Sequence, residues 1–159
     1  MILKPDYNVI PLWDIPFDEL KNKGIKVLLF DLDSTLMPSK SGVFPENVLE
    51  LLKTLELDFK IAVISNNTYA DYIEKAQVQV SFPVIGAAKK PNPKIAAEFL
   101  KSINAEPNEA AIIGDRPLTD ILCGKLLGAK TVIVDSITKD TEKPVVRFVR
   151  KLERLFIRN

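Results

Sequence analysis

The sequence predicts an α/β fold, a doubly wound parallel sheet of five strands, on three observations. Short apolar runs of strand length recur, helical patterns separate them, and proline or glycine marks several of the boundaries between the two. The runs are Ile25 to Phe30, Lys60 to Ser65, Pro83 to Gly86, Ala110 to Gly114 and Lys130 to Asp135. The middle ones are almost unbroken in apolar character, which suits strands covered on both faces and therefore parallel. Helical spacing falls at residues 45–56, 68–79, 93–103 and 117–127, with Asn92-Pro93 as a start signal and Gly128 as a stop.

Ahead of the first strand the chain is extended and punctuated by Pro5 and Pro11, and a short helix is expected from Pro16 to Gly24. Trp13 and Phe17 are expected to pack there. With 159 residues, 47% of them hydrophobic, the chain can bury one sizeable core. We therefore expect a single domain made of an extension (1–24), a core (25–135) and a basic amphipathic helix (144–158).

Charge and cysteine content narrow the classes. A formal charge of +1, from 22 basic and 21 acidic residues, argues against a nucleic-acid partner. The single cysteine, Cys123, has no intramolecular partner for a disulfide, and no secretory leader pattern opens the chain. No apolar run approaches the roughly 20 residues that cross a bilayer. These features lead us to expect a cytoplasmic protein.

In a doubly wound sheet, ligands bind at the carboxyl ends of the strands, near the point where strand order reverses. Asp31-Leu32-Asp33-Ser34-Thr35-Leu36 directly follows the first strand and brings two carboxylates to that edge. A second acidic pair, Asp115 and Asp120, follows the fourth strand in Gly114-Asp115-Arg116-Pro117-Leu118-Thr119-Asp120. Four carboxylates converging on one crevice repel one another unless a cation sits among them. With no histidine and one cysteine in the chain, oxygen ligation selects Mg²⁺ over Zn²⁺.

The remaining elements supply complementary charge. Ser65-Asn66-Asn67 ends the second strand and Lys89-Lys90-Pro91 follows the third. A phosphoryl dianion approaching a carboxylate nucleophile needs donors around its oxygens, and Ser65, the backbone N–H of Asn66 and Lys90 can provide them. In the absence of histidine, proton transfer falls to a carboxyl group or water, and Asp33 is placed for it.

Taken in order, Asp31-x-Asp33-x-Thr35, Ser65, Lys90 and Gly114-Asp115 with Asp120 resemble the four motifs of haloacid dehalogenase-type (HAD) phosphatases, across residues 25–135. The resemblance implies a Rossmann-like core and a phosphomonoester hydrolase that works through an aspartyl-phosphate on Asp31. Asp33 would protonate the leaving group and then activate water. Asp31, the carbonyl of Asp33 and Asp115 would ligate Mg²⁺, with Asp120 and Thr35 supporting the site from behind. More narrowly, Lys4-Pro5-Asp6-Tyr7, Trp13-Asp14-Ile15-Pro16 and Gly24-Ile25-Lys26 resemble the YqeG-like subfamily, IIIA, which is similar to phosphatidylglycerophosphate phosphatases. Ser34 and Cys123-Gly124-Lys125 depart from that group's usual Asn and Gly-Gly-Asn without removing a catalytic group. The resemblance implies a phosphorylated lipid substrate met at a membrane surface; another bulky phosphate, on a protein or polymer, is the alternative.

The connections Thr35–Ile61 and Asn66–Lys89 hold one helix each and leave no room for a cap domain, so an open cleft is expected. A receiver-like signalling module would need its aspartate after the third strand, where this chain has Gly86-Ala87-Ala88-Lys89. A non-catalytic HAD-like binding module is the other alternative. Gly124-Lys125 lacks the preceding glycine of a P-loop, and Cys123 reads as a packing residue. From Pro144 onward five basic residues stand against Glu153 alone, and Val145, Phe148, Val149, Leu152, Leu155 and Phe156 share one helical face. That face is expected to pack on the sheet, with the arginines near the helix's negative end; docking on an anionic bilayer is the alternative.

Overall fold

A computed structural model of the chain describes residues 3–137 and 143–155. Five strands fall where the apolar runs lie: β2 (Val27–Phe30), β3 (Lys60–Ile64), β4 (Val84–Ile85), β5 (Ala110–Gly114) and β6 (Lys130–Ile133). The sheet has a sixth, β1 (Tyr7–Asn8), so the expectation of five is corrected. β1 pairs parallel with β6, Tyr7 opposite Val132 and Asn8 opposite Ile133. Two residues between prolines carry too little periodicity to be read as a strand. A side chain fixes the edge instead: Asp6 accepts hydrogen bonds from the backbone N–H and the hydroxyl of Thr131, both at 2.9 Å.

The strand order is β1-β6-β5-β2-β3-β4 and every pairing is parallel. From β2 the chain winds outward to β4, then returns to place β5 on the other side of β2. Strand order therefore reverses between β2 and β5, and their carboxyl ends open the crevice that hosts ligands in such sheets.

Alternation along the strands builds two cores. Leu28 and Phe30 of β2, Ile61 and Val63 of β3 and Ala111 and Ile113 of β5 face α1 (Phe17–Asn22), α2 (Glu46–Leu55) and α3 (Ala70–Gln77) through Leu20, Leu52 and Ala76. Val27, Leu29, Ala62 and Ile112 face the other way, onto Ala96 and Leu100 of α4 (Lys94–Ser102) and Cys123 of α5 (Leu122–Leu127). Each fully buried Leu or Phe contributes about 1.5–3 kcal/mol, so this two-sided burial holds the strand ends in register. Phe17 packs on Phe59 with ring centroids 6.3 Å apart, as expected, whereas Trp13 is 44% exposed and does not belong to the core. Among the described residues no helix is long and apolar enough to cross a membrane.

The last helix, α6 (Pro144–Leu155), reverses its expected orientation. Glu153 is buried, while Val145, Phe148, Leu152 and Leu155 are exposed. Ion pairs from Arg150 and Glu153 to the loop after β5 hold the charged face inward. Phe156 and Arg158, which the sequence reading placed on this helix, lie outside the described residues.

Candidate active site

The loop after β2 begins where Asp31 donates its backbone N–H to Ile113 O at 2.9 Å, extending the β2–β5 ladder by one bond. The chain then doubles back: Ser34, at φ 67°, donates to Met37 O at 2.8 Å, and Asp33 pairs with Met37 in an isolated bridge. This turn brings Asp33 back to the cavity wall beside Asp31. Asp33 Oδ1 accepts from the Lys40 N–H at 3.1 Å and from the Tyr72 hydroxyl of α3. Burial and that hydrogen bond raise the Tyr72 phenol above its usual value, so it stays a donor.

On the other side of the reversal, a single π-type turn (Pro117–Ile121) returns the chain under β5. Such turns occur often at functional sites. Here it carries Asp120 back to Gly114, where a Cβ would lie 2.2 Å from the Asp120 carboxyl carbon. Only glycine leaves that space. Asp120 Oδ2 also accepts from the Arg116 N–H at 3.1 Å, which pins the carboxylate.

Carboxylate oxygens of Asp31, Asp115 and Asp120 all lie within 4.8 Å of one another. Lys90 joins two of them, its Nζ donating to Asp31 Oδ1 at 2.7 Å and to Asp120 Oδ1 at 2.6 Å. Lys90 is buried and its neighbour Lys89 is exposed. Asn66 aims the lysine through a reciprocal pair, its amide donating to Lys90 O at 3.0 Å and accepting from Lys90 N–H at 2.7 Å. Burial alone would lower the Lys90 ammonium, but Asp120 and Asp31 outweigh it and hold the group above its ordinary value.

Thr35 Oγ1 donates to Asp115 Oδ1 at 3.3 Å. The other oxygen, Oδ2, is buried without a hydrogen-bond partner, although Arg150 Nη2 approaches it to 2.7 Å in an ion pair that lacks hydrogen-bond alignment. Burial, then the Asp31 and Asp120 charges, push the Asp115 carboxyl up to about 8 against the pull of Arg150 and Arg116. Burial and Asp31 likewise push Asp120 up to about 6, although Lys90 opposes the shift. Four acidic groups crowd the site beside Lys90, Arg150 and the Glu153-paired Arg116, and the buried Asp115 Oδ2 is met by an ion pair alone, without a hydrogen bond. An all-oxygen site with these features fits a hard divalent cation.

These residues line a cavity of about 340 Å³, with Asp31, Asp33, Ser65, Asn66, Lys90 and Asp115 on its walls. Asp120 is buried behind Lys90. Thr35 is likewise fully buried. All eight residues singled out in the sequence thus converge on one carboxyl edge. Tyr72, Arg116 and Arg150 were missed. Arg116 and Arg150 line the cavity, and Arg116 is held by Glu153 of α6 at 2.6 Å. Among the described residues no cap domain covers the cleft, but α6 closes one flank through Val146 and Arg150. Cys123 takes no part: burial pushes its thiol up to about 11.

Comparison with known proteins gives the family of the chain. The family model for mitochondrial PGP phosphatase matches residues 1–138. The chain is 26% identical over 151 residues to "Probable phosphatase YqeG" of Bacillus subtilis, covering 94% of this chain and 87% of that one. It is 31% identical over 159 residues to the chloroplastic and mitochondrial phosphatidylglycerophosphate phosphatase 1 of Arabidopsis thaliana, covering 94% of this chain but only 45% of that longer protein. A crystal structure of a HAD family enzyme from Bacteroides thetaiotaomicron superposes with a TM-score of 0.57 at 17% identity, covering 76% of this chain and all of the other, and so shares its fold. The chain therefore belongs to the phosphatidylglycerophosphate phosphatase family, is a phosphatase, and shares its fold with a HAD family enzyme.

Proposed function

We propose that the chain is a Mg²⁺-dependent phosphomonoester hydrolase acting through an aspartyl-phosphate, with phosphatidylglycerophosphate as its substrate. The observation that carries the chemistry is the meeting of Asp31, Asp115 and Asp120 within 4.8 Å at the strand-order reversal, with Lys90 bonded to two of them. The names of the relatives support the substrate.

A carboxylate of Asp31 attacks phosphorus as the bond to the leaving oxygen breaks, and Asp33 gives that oxygen a proton. Asp33 then takes a proton from water, whose oxygen attacks the phosphorus of the aspartyl-phosphate and frees both Asp31 and inorganic phosphate. Splitting one displacement in two lowers each barrier. Tyr72 and the Lys40 N–H orient Asp33 for both transfers. Lys90, Ser65 and the Asn66 N–H hold the phosphoryl oxygens, and Asn66 keeps Lys90 aimed through its side chain. Asp31, the Asp33 carbonyl and Asp115 would hold Mg²⁺, which supplies charge neutralisation to the transferring group when bound. Asp120 positions Lys90, and Thr35 orients Asp115. The enzyme works from the cytoplasm at the surface of a membrane, with a cleft open enough for a headgroup.

The test is hydrolysis. An aryl phosphate should be cleaved only with Mg²⁺, and Asp31→Asn should lower the rate about a thousandfold or more with the fold retained by circular dichroism. Full activity in that variant would refute the nucleophile. Phosphatidylglycerophosphate in detergent micelles should be cleaved much faster than a sugar phosphate or a phosphopeptide. Faster cleavage of the phosphopeptide would replace the lipid with a protein substrate.

A further inference from the structure

A surface helix ordinarily turns its apolar stripe to the core. In α6 the stripe faces away. Glu153 is 5% exposed and bonded to Arg116, Arg150 reaches Asp115, and Arg154 donates to Val134 O at 2.7 Å. On the opposite side Val145, Phe148, Val149, Leu152 and Leu155 are between 38% and 72% exposed. Their spacing of three and four residues makes them one continuous strip along the helix. Lys143, Arg147 and Lys151 are exposed as well. Beside the helix lies a second cavity of about 480 Å³, lined by Arg147, Arg150, Lys151 and Arg154, with Asp135 as its one acid among the described residues.

We propose that this face of α6, with the basic cavity at its flank, docks on an anionic phospholipid bilayer. The apolar strip matches the acyl boundary, and the exposed Arg147 and Lys151 at the cavity rim match lipid phosphates at headgroup depth, whereas Arg150 and Arg154 are engaged by Asp115 and Asp135. A second copy of the chain fits less well, because a two-fold contact through α6 would set the two cationic rims against each other. Arg150 lines both this cavity and the active-site cavity, and Val146 lines the latter. A bilayer on α6 therefore lies beside the opening of the cleft, at the level of the phosphates it would hydrolyse. The surface stands on its own geometry and rests on the lipid-phosphatase reading only for its purpose.

Sedimentation with vesicles tests it. The chain should bind vesicles of phosphatidylglycerol mixed with phosphatidylcholine at least about tenfold more tightly than vesicles of phosphatidylcholine alone, and added salt should weaken that binding. Phe148→Glu with Leu152→Glu should reduce binding to the anionic vesicles about tenfold or more, with an unchanged melting temperature showing that the fold survives. Equal sedimentation of variant and parent would overturn the proposal, as would indifference to lipid charge. A lipid-free dimer abolished by the same pair of substitutions would assign the face to a second copy and overturn it too. Aryl phosphate hydrolysis by the unaltered chain reads the cleft separately. Hydrolysis without vesicle binding overturns the surface and leaves the phosphatase; vesicle binding without hydrolysis supports the surface and removes the phosphatase.

Discussion

Arg150 Nη2 lies 2.7 Å from Oδ2 of Asp115, so a helix near the end of the sequence sets a cation against a buried carboxylate of the acid cluster. The guanidinium compensates part of a charge that the proposed Mg²⁺ would also compensate. The two positive charges would therefore oppose each other in poorly solvated space.

Replacing that cation should ease metal binding. Arg150→Gln is expected to lower the half-saturating Mg²⁺ concentration roughly threefold to tenfold, the range given by one partly screened charge at this distance. A Mg²⁺ titration followed by thermal melting measures it without relying on turnover. A higher Mg²⁺ requirement would mean that Arg150 helps to hold the site open.

Gly114→Ala should be far more damaging than a single methyl group suggests. The new Cβ would meet the Asp120 carboxyl at 2.2 Å, with the sheet on one side and the π-type turn on the other. Overpacking of this kind costs about 1–3 kcal/mol. Displacing Asp120 also frees the lysine it holds. Urea unfolding and aryl phosphate turnover should both fall, whereas loss of stability alone would show that Asp120 does not govern Lys90.

Stability should depend on pH and on Mg²⁺ together. Burial pushes the Asp115 carboxyl up to about 8 and that of Asp120 up to about 6, from 3.8. Carboxyls raised in the folded state stabilise it fully below the unfolded value, and that contribution is lost as pH rises through the folded values. The cation-free protein should therefore melt at a lower temperature at pH 8 than at pH 5. Binding of Mg²⁺ displaces these protons, so its stabilising effect should be larger at pH 8. Calorimetry in chelator and in millimolar Mg²⁺ at both pH values measures this; a Mg²⁺ shift independent of pH would contradict it.

Most of the fold and nearly all of the acid cluster were legible in the sequence because they depend on local pattern. Ala110–Gly114 reads as a buried strand whatever surrounds it, and Asp115 must follow at its end. What escaped depends on partners distant in the chain. Tyr7–Asn8 becomes a strand through Asp6 bonding to Thr131, more than a hundred residues away. Tyr72 lies on α3 with no motif to mark it, and it finds Asp33 only when the helix packs on the sheet. The face of α6 was misread because amphipathicity gives the direction of a stripe and not what lies opposite. Buried pairing of Glu153 with Arg116 and of Arg150 with Asp115 outweighed packing of the apolar face.

The central claim is that Asp31 accepts phosphorus, and trapping that intermediate tests it most directly. Asp33→Asn slows the attack of water, while an aryl leaving group needs no acid, so the phosphoryl-enzyme should accumulate. Borohydride reduces an aspartyl-phosphate to homoserine, which mass spectrometry locates in the peptide. We predict the conversion at Asp31, dependent on Mg²⁺ and substrate. An unmodified Asp31 during turnover, or the label on any other residue, would contradict the account.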